Sequence, residues 1–253
     1  MLLEEGMPLD LVFMVPAESN FNVSARSHKS AVGLWQFIAS TGRIYGLKIN
    51  RWIDERRDPV LATKAAIKYL KHLYGLFGDW ELAMAAYNTG EGRVKRAIKR
   101  AKRRGMKHNY SSLRLPRETK NYVPAIMAMA VIYKNPARYG LGHVRPIQAM
   151  DETKASLPVS FSLEEVAQRS KMSFRLLRDK NPALFLGVPP MTQKRYSFYV
   201  PQHFHSNLMS SLEQNPAPSK KWNLSYNALL GNSVYVTGVL EKFGAPIYFK
   251  VRN

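Results

Sequence analysis

The chain has 253 residues, no cysteine and a formal net charge of +20 at pH 7. Without cysteine it can form neither disulfides nor thiolate metal sites, and the charge indicates an anionic partner or surface. No apolar run approaches the length of a membrane span, and the first residues carry no export signal. This length predicts one large domain and one small one.

An isolated carboxyl group lies near the start of the chain. Glu18 follows a mostly apolar stretch at residues 9–15, and no Asp or Glu comes after it until Asp54. A carboxyl held against apolar surface, with no anionic neighbour, has a raised pKa and can donate a proton near neutral pH. A general acid has these properties, although a surface Glu that ends a helix gives the same pattern.

Four short motifs follow one another in a recognisable order. They are residues 18–27 with Glu18 and Ser27, residues 33–38 with Gln36, residues 85–90 with Tyr87 and Asn88, and residues 118–123 with Glu118 and Tyr122. Together they resemble the catalytic domain of lytic transglycosylases, lysozyme-like enzymes that cut peptidoglycan, over roughly residues 9–141. The variants GLWQF, STGRIYGL and YNTGEGRV look most like the membrane-bound lytic transglycosylase D group.

The resemblance implies a lysozyme-like, mainly helical catalytic domain at residues 1–142 and a reaction with one carboxyl group. Glu18 would protonate the leaving oxygen of the β-1,4 bond between N-acetylmuramic acid and N-acetylglucosamine. As a carboxylate it would then accept the proton of the C6 hydroxyl, which attacks C1 and forms a 1,6-anhydro ring. A muramidase would instead use water and usually a second carboxylate, which Asp54, Glu55 or Glu118 could supply. A non-catalytic wall-binding protein is the other alternative.

The resemblance also assigns substrate-binding roles to six residues: Ser27, Gln36, Tyr87, Asn88, Glu118 and Tyr122. Gln36 would bind N-acetyl groups or hold Glu18, and Tyr87 would orient Glu18 or stabilise developing charge. Ser27 could instead form a turn, Asn88 could cap a helix, and Glu118 could make a surface ion pair. Ser30 stands where the family usually has glycine. No metal or cofactor is expected.

Helical patterns connect the motifs. Asp58 and Pro59 predict a helix start, with Asp58 as the N-cap. Residues 80–87 have the pattern of a short apolar helix that ends at the third motif, and Trp35 could stack on a sugar or belong to the core. Residues 123–133 are apolar nearly all round, so we expect a central buried helix there.

The densest basic region runs from Arg93 to Lys107. Apolar residues recur at helical spacing within it, and cations fill the remaining face. That face could be merely solvated, or it could attract peptidoglycan stem carboxylates or an anionic surface of the cell envelope. Nucleic acid is not expected, because no aromatic residues alternate with the cations.

The composition changes after residue 142, where we expect a domain boundary, and polar, Pro-containing sequence continues from there through Leu157–Pro158. Residues 162–165 form a capping-box pattern that opens a short helix, residues 173–179 predict a second helix, and residues 196–200 predict a strand. Within a small α+β region at residues 143–253, the part near 147–201 resembles a degenerate LysM module, a sugar-binding fold. A spacer without binding function is the alternative. A terminal hairpin is predicted around residues 244–246.

The resemblance further implies where the protein works and on what. Peptidoglycan glycan strands would be its partner, in the periplasm or cell envelope, and we expect a monomer. Because a cell-wall enzyme needs export, we also expect that a leader upstream of Met1 has been removed or was not included.

Overall fold

The computed structural model describes residues 1–145, 151–190 and 193–218. The chain forms two compact units, one of Met1–Asn50 with Asp54–Ile147 and the other of Arg51–Ile53 with Gln148–Asn253. Among the described residues, no helix combines the length and the apolar character needed to cross a bilayer.

The first unit is helical, as predicted. Its α-helices are α1 (Met14–Ser19), α2 (Ala39–Ile44), α3 (Pro59–Phe77), α4 (Trp80–Thr89), α5 (Glu91–Arg103) and α6 (Arg117–Lys134). Short 3-10 turns occur at Leu9–Phe13, Glu55–Arg57, Tyr110–Ser112 and Pro136–Tyr139. The core lies where α3, α4 and α6 pack together, and its fully buried side chains include Leu70, Leu73 and Val123.

Local sequence signals set the ends of the central helices. The Asp58 carboxylate accepts hydrogen bonds from the backbone N–H groups of Val60 (2.9 Å) and Leu61 (2.8 Å), and so begins α3 as predicted. Gly78 ends this helix in the left-handed region, with φ of 65°. Gly90, with φ of 88°, separates α4 from α5.

The prediction that residues 123–133 form a buried helix is wrong in one respect. They belong to α6, but only one side of that helix is covered, where Val123, Ile126 and Ala130 are buried. Met127 and Val131 are about half exposed on the other side. An all-round apolar pattern indicates possible burial, whereas the number of neighbouring elements decides how much of the helix is covered.

The second unit has two antiparallel strands and three helices. Strand β1 (Glu152–Pro158) pairs with β2 (Arg195–Pro201), and the helices are α7 (Leu163–Ser170), α8 (Phe174–Lys180) and α9 (Gln202–Gln214). The predicted helices α7 and α8 and the predicted strand β2 are confirmed. However, β1 was not predicted, because its sequence was interpreted as polar chain at a domain boundary.

The core of the second unit forms between the sheet and the helices. Ala155 and Leu157 point inward from β1 and Phe198 and Val200 from β2, and all four are buried. The order strand, helix, helix, strand has the two helices and two strands expected of a LysM module, whose presence here stays a prediction. The predicted hairpin around residues 244–246 lies outside the described residues.

Only one arm of the predicted capping box forms. The hydroxyl of Ser162 accepts a hydrogen bond of 3.1 Å from the backbone N–H of Glu165 at the start of α7. The Glu165 carboxylate does not return to Ser162, because it accepts a hydrogen bond of 2.7 Å from Nε of Arg169.

Candidate active site

A cleft in the first unit has a volume of about 970 Å³. Its walls come from the end of α1, the loop before α2, the C-terminal end of α4 and one side of α6. All seven residues assigned to the site from the sequence line it: Glu18, Ser27, Gln36, Tyr87, Asn88, Glu118 and Tyr122. The fold therefore gathers residues that span a hundred positions of sequence.

Glu18 occupies the last turn of α1, immediately before a sharp change in chain direction. Asn20 and Phe21 both have positive φ, of 51° and 61°, although neither is glycine. Two consecutive left-handed residues are costly, and such strain is concentrated at functional sites. The hydroxyl of Ser19 donates a hydrogen bond of 2.9 Å to the carbonyl of Leu34, which ties the end of α1 to the opposite loop.

The surroundings of Glu18 favour its protonated form. Burial raises its pKa to about 7; the hydrogen bond from Tyr122 lowers it, and the charge of Glu118 raises it. The Tyr122 hydroxyl donates to Oε1 of Glu18 over 2.6 Å. A carboxyl group with this pKa is populated in both protonation states near neutral pH, as a general acid and base requires.

The two site tyrosines, of which Tyr122 is buried and Tyr87 partly buried, hold their protons. Burial, with the charge of Glu18 as the next cause, raises the pKa of both Tyr87 and Tyr122 well above 10. The hydroxyl of Tyr87 donates to the backbone carbonyl of Trp35 over 2.7 Å, so it is Tyr122 that is bonded to Glu18. Both side chains are therefore hydrogen-bond donors at neutral pH.

Ser27 and Gln36 fix the loop that forms one wall of the cleft. The hydroxyl of Ser27 accepts a hydrogen bond of 3.1 Å from the backbone N–H of Ala31, which is the turn-forming role considered for it. The side-chain Nε2 of Gln36 donates to the carbonyl of Gly33 over 2.8 Å and more weakly to that of Ala25. Both residues line the cleft while they hold the loop together.

Arg56 supports the same loop from behind. Its guanidinium donates to both carboxylate oxygens of Asp54, over 2.9 and 2.8 Å, and to the carbonyls of Ser30 and Phe37, each over 3.0 Å. Asp54 is thus engaged in a buried ion pair. Glu55 accepts a hydrogen bond from the backbone N–H of Lys48, and neither carboxylate lines the cleft.

The wall opposite the loop is formed by α4 and α6. Oδ1 of Asn88 accepts a hydrogen bond of 2.8 Å from the hydroxyl of Thr119, which joins the two helices beside the cleft. Glu118 makes no ion pair with Arg117 or Lys120 among the described residues, and its carboxyl group lines the cleft. It is the second carboxylate in that lining.

Several lining residues were missed from the sequence. Three of them lie on α6 at helical spacing from Glu118 and Tyr122, a pattern that could have identified them: Asn121, Ala125 and Met129. Tyr69, from α3, also lines the cleft, and burial raises its pKa to about 12. Trp35 belongs to the core, because only 2% of it is exposed and its Nε1 donates to Thr63.

The described part of the chain offers no site for a metal ion. No cluster of three or more Asp, Glu or His side chains occurs within it in an arrangement that could ligate one.

Comparison with known proteins matches much of the region that carries this cleft. Residues 3–110 match the family model of the transglycosylase SLT domain. The chain is 43% identical over 183 residues to membrane-bound lytic murein transglycosylase D from two Escherichia coli strains, which covers 70% of this chain and 40% of each relative. It is 29% identical over 174 residues to peptidoglycan transglycosylase gp16 of Escherichia phage T7, covering 68% of this chain and 12% of that protein. The chain thus spans less than half the length of these relatives.

Proposed function

We propose that the protein is a peptidoglycan lytic transglycosylase, because residues 3–110 match the family model of the transglycosylase SLT domain. It cleaves the β-1,4 bond between N-acetylmuramic acid and N-acetylglucosamine and leaves a 1,6-anhydro product. The observation that carries the proposal is Glu18, a carboxyl group with a pKa of about 7 in the floor of a cleft large enough for several sugar rings.

In the first step Glu18 acts as a general acid. Its protonated carboxyl group donates to the glycosidic oxygen as the bond to C1 of N-acetylmuramic acid breaks, and positive charge develops on that sugar ring. Once the proton has left, the hydrogen bond from Tyr122 stabilises the new carboxylate, because a charged acceptor strengthens such a bond. The buried hydroxyl of Tyr87 stays protonated and adds no competing negative charge.

In the second step the Glu18 carboxylate accepts the proton of the C6 hydroxyl of the same sugar. The C6 oxygen attacks C1, so the ring closes within one molecule and the proton taken from the hydroxyl restores the acid. An intramolecular nucleophile has a high effective concentration, so neither a protein nucleophile nor an activated water is needed. This route fits the cleft because few carboxyl groups other than that of Glu18 line it.

The muramidase alternative depends on Glu118. Because Asp54 is paired with Arg56 and Glu55 is bonded to the backbone, neither supports a role as second carboxylate. Glu118 lines the cleft and could position a water molecule. A non-catalytic wall-binding protein would keep the same cleft without turnover.

Analysis of the products from purified sacculi separates these possibilities. We expect disaccharide-peptides that end in 1,6-anhydro-N-acetylmuramic acid, lighter by one water than the hydrolysis product and without a reducing end. Predominantly reducing products would make the protein a muramidase. Binding to sacculi without any soluble product would leave only the wall-binding function.

We extend the proposal to location and partners. The relatives' name describes a membrane-bound murein enzyme, which supports the cell envelope, and in particular the periplasm, as the place where this protein acts. Glycan strands of peptidoglycan are the proposed substrate. The binding roles of Ser27, Gln36, Asn88 and Glu118 are part of the proposal, supported by their positions in the cleft.

A further inference from the structure

Helix α5 presents a strongly cationic outer surface. Between Glu91 and Glu118 the sequence contains eleven Lys or Arg and no acidic residue. The apolar side of the helix is already used in the core, where Val94, Ala97 and Ala101 are buried. A helix packed in this way can bind a partner through charge on its exposed side, but it cannot insert its apolar side into a bilayer.

Three arginines converge at the C-terminal end of this helix. Arg100 and Arg104 come from α5 and its C-cap, and Arg114 comes from the segment that follows the 3-10 turn Tyr110–Ser112; together they line a cavity of about 10 Å³. We call these three residues and their cavity the arginine notch. Its volume is close to that of one water-sized group, so a single oxygen atom of a ligand would fill it.

The charges of the notch are not balanced within the described chain. None of the three guanidinium groups makes an ion pair or a hydrogen bond with a described residue. All three side chains are exposed, and a bound anion would reduce the repulsion between their like charges. The carbonyl groups at the end of α5 attract Arg100 and Arg104. These carbonyl groups do not explain why Arg114 lies at the same cavity, because Arg114 belongs to another segment.

We propose that the arginine notch and the cationic surface of α5 bind the phosphate groups of anionic phospholipids, so that the protein docks on a membrane surface. A phosphate presents several oxygens and can accept hydrogen bonds from more than one guanidinium. Met106, which is 44% exposed, also lines the notch and offers an apolar contact at the level of the headgroups. An anionic leaflet presents many negative charges across the whole exposed side of α5, whereas an isolated carboxylate presents one, and single-stranded nucleic acid would favour exposed aromatic residues, which the notch does not have.

Vesicle flotation with the whole chain tests the proposal. Vesicles of phosphatidylcholine alone are compared with vesicles that also contain phosphatidylglycerol. The test variant is Arg100→Gln/Arg104→Gln/Arg114→Gln. Its matched control, Lys64→Gln/Lys68→Gln/Arg138→Gln, removes the same charge from exposed positions outside the notch.

We expect wild type to float with the anionic vesicles only. A cation close to an anionic surface contributes about a fivefold change in affinity, so the notch variant should bind about 100-fold more weakly. The control variant should stay within a few-fold of wild type. Equal losses in both variants would show that only the net charge matters and would overturn the proposal.

Two further measurements identify other partners and exclude misfolding. Binding to purified sacculi or to single-stranded DNA that depends on the notch, without binding to anionic vesicles, would also overturn the lipid assignment. Both variants should unfold at the wild-type temperature and cleave soluble glycan fragments at the wild-type rate. That result keeps the test independent of the proposed reaction at Glu18.

Discussion

The hydroxyl of Tyr122 donates a hydrogen bond of 2.6 Å to Oε1 of Glu18, from a residue 104 positions further along the chain. The bond favours the carboxylate, whereas burial and the charge of Glu118 favour the protonated form. The pKa of about 7 is the result of this opposition. The three residues therefore set the pH at which Glu18 changes from acid to base.

The first prediction concerns the proton on Glu18. Glu18→Gln should lower the rate of cleavage by more than about 100-fold, because the amide preserves the shape of the side chain but can neither donate nor recover the proton. Release of soluble muropeptides from sacculi measures the rate. Binding to sacculi at equilibrium serves as the control and should be unchanged, while activity above a few per cent of wild type would contradict the single-acid mechanism.

The same variant should be more stable than wild type at alkaline pH. The pKa of Glu18 is raised from 4.5 to about 7 by folding, so the folded state binds the proton more tightly than the unfolded state. Wild type therefore loses stability as pH rises from about 4.5 to 7, by about 3 kcal/mol in total. The Glu18→Gln variant should not show this loss of stability, because its side chain does not titrate. Urea unfolding at about pH 4 and pH 8.5 checks it, and a difference between the proteins that does not vary with pH would count against the raised pKa.

Tyr122→Phe should extend activity to higher pH. Removing the hydroxyl removes the bond that lowers the pKa of Glu18, so that pKa rises. Because the first step needs protonated Glu18, activity is lost as pH rises through this pKa. The alkaline limb of the kcat/KM profile should then move to higher pH, while the maximal rate falls because the new carboxylate has lost its donor.

Glu118→Gln should move the same limb in the opposite direction. The charge of Glu118 raises the pKa of Glu18, so its removal lowers that pKa and activity is lost at lower pH. Measured together, the two variants should shift the profile in opposite senses. Shifts in the same direction would mean that general disturbance of the cleft, and not the two named interactions, changes the profile.

The sequence predicted those features that depend on neighbours along the chain. Asp58 and Pro59 start α3 as expected, since a cap needs only the next few backbone N–H groups. The seven site residues also lie in one cleft, because they were identified through motifs that resemble a family with a known fold. The bonding partners within that cleft were less predictable. Of the two roles expected for Tyr87, orienting Glu18 or stabilising developing charge, the first is not supported by a hydrogen bond, since its hydroxyl donates to the backbone carbonyl of Trp35.

The remaining errors have a common physical origin in tertiary contacts. The exposed side of α6 and the cleft position of Tyr69 depend on which elements pack nearby, and a local pattern does not carry this information. Strand β1 is short and mostly polar, and only Ala155 and Leu157 are buried on it. Its pairing with β2, some forty residues away, is what makes it a strand.

The loop held by Ser27 and Gln36, which forms one wall of the cleft, is called the cleft loop. Two substitutions in it should change the free energy of unfolding differently. A Cβ at Gly33 would lie 1.8 Å from the carbonyl oxygen of Arg56, and its φ is +83°, so Gly33→Ala should destabilise the protein by at least about 2 kcal/mol. Ser30 has a φ of 59°, which glycine adopts without strain. Ser30→Gly should therefore be neutral or stabilising, by up to about 1 kcal/mol. Chemical denaturation of both variants provides the comparison, and equal losses would contradict it.

Arg56 should be the residue on which the cleft loop most depends. Its guanidinium joins Asp54 to the carbonyls of Ser30 and Phe37, and both charged side chains are largely buried. Arg56→Met would leave the Asp54 carboxylate without its partner in a buried position, so we expect a loss of about 3–5 kcal/mol in unfolding free energy.

The matched double variant Arg56→Met/Asp54→Asn separates the ion pair from the packing around it. It leaves no unpaired buried charge, so it should recover part of the lost stability, although the two loop carbonyls still lack their donor. We therefore expect cleavage to remain impaired in the double variant at temperatures where it is folded. Wild-type activity in that folded variant would show that Arg56 stabilises the domain without positioning the loop that carries Ser27 and Gln36.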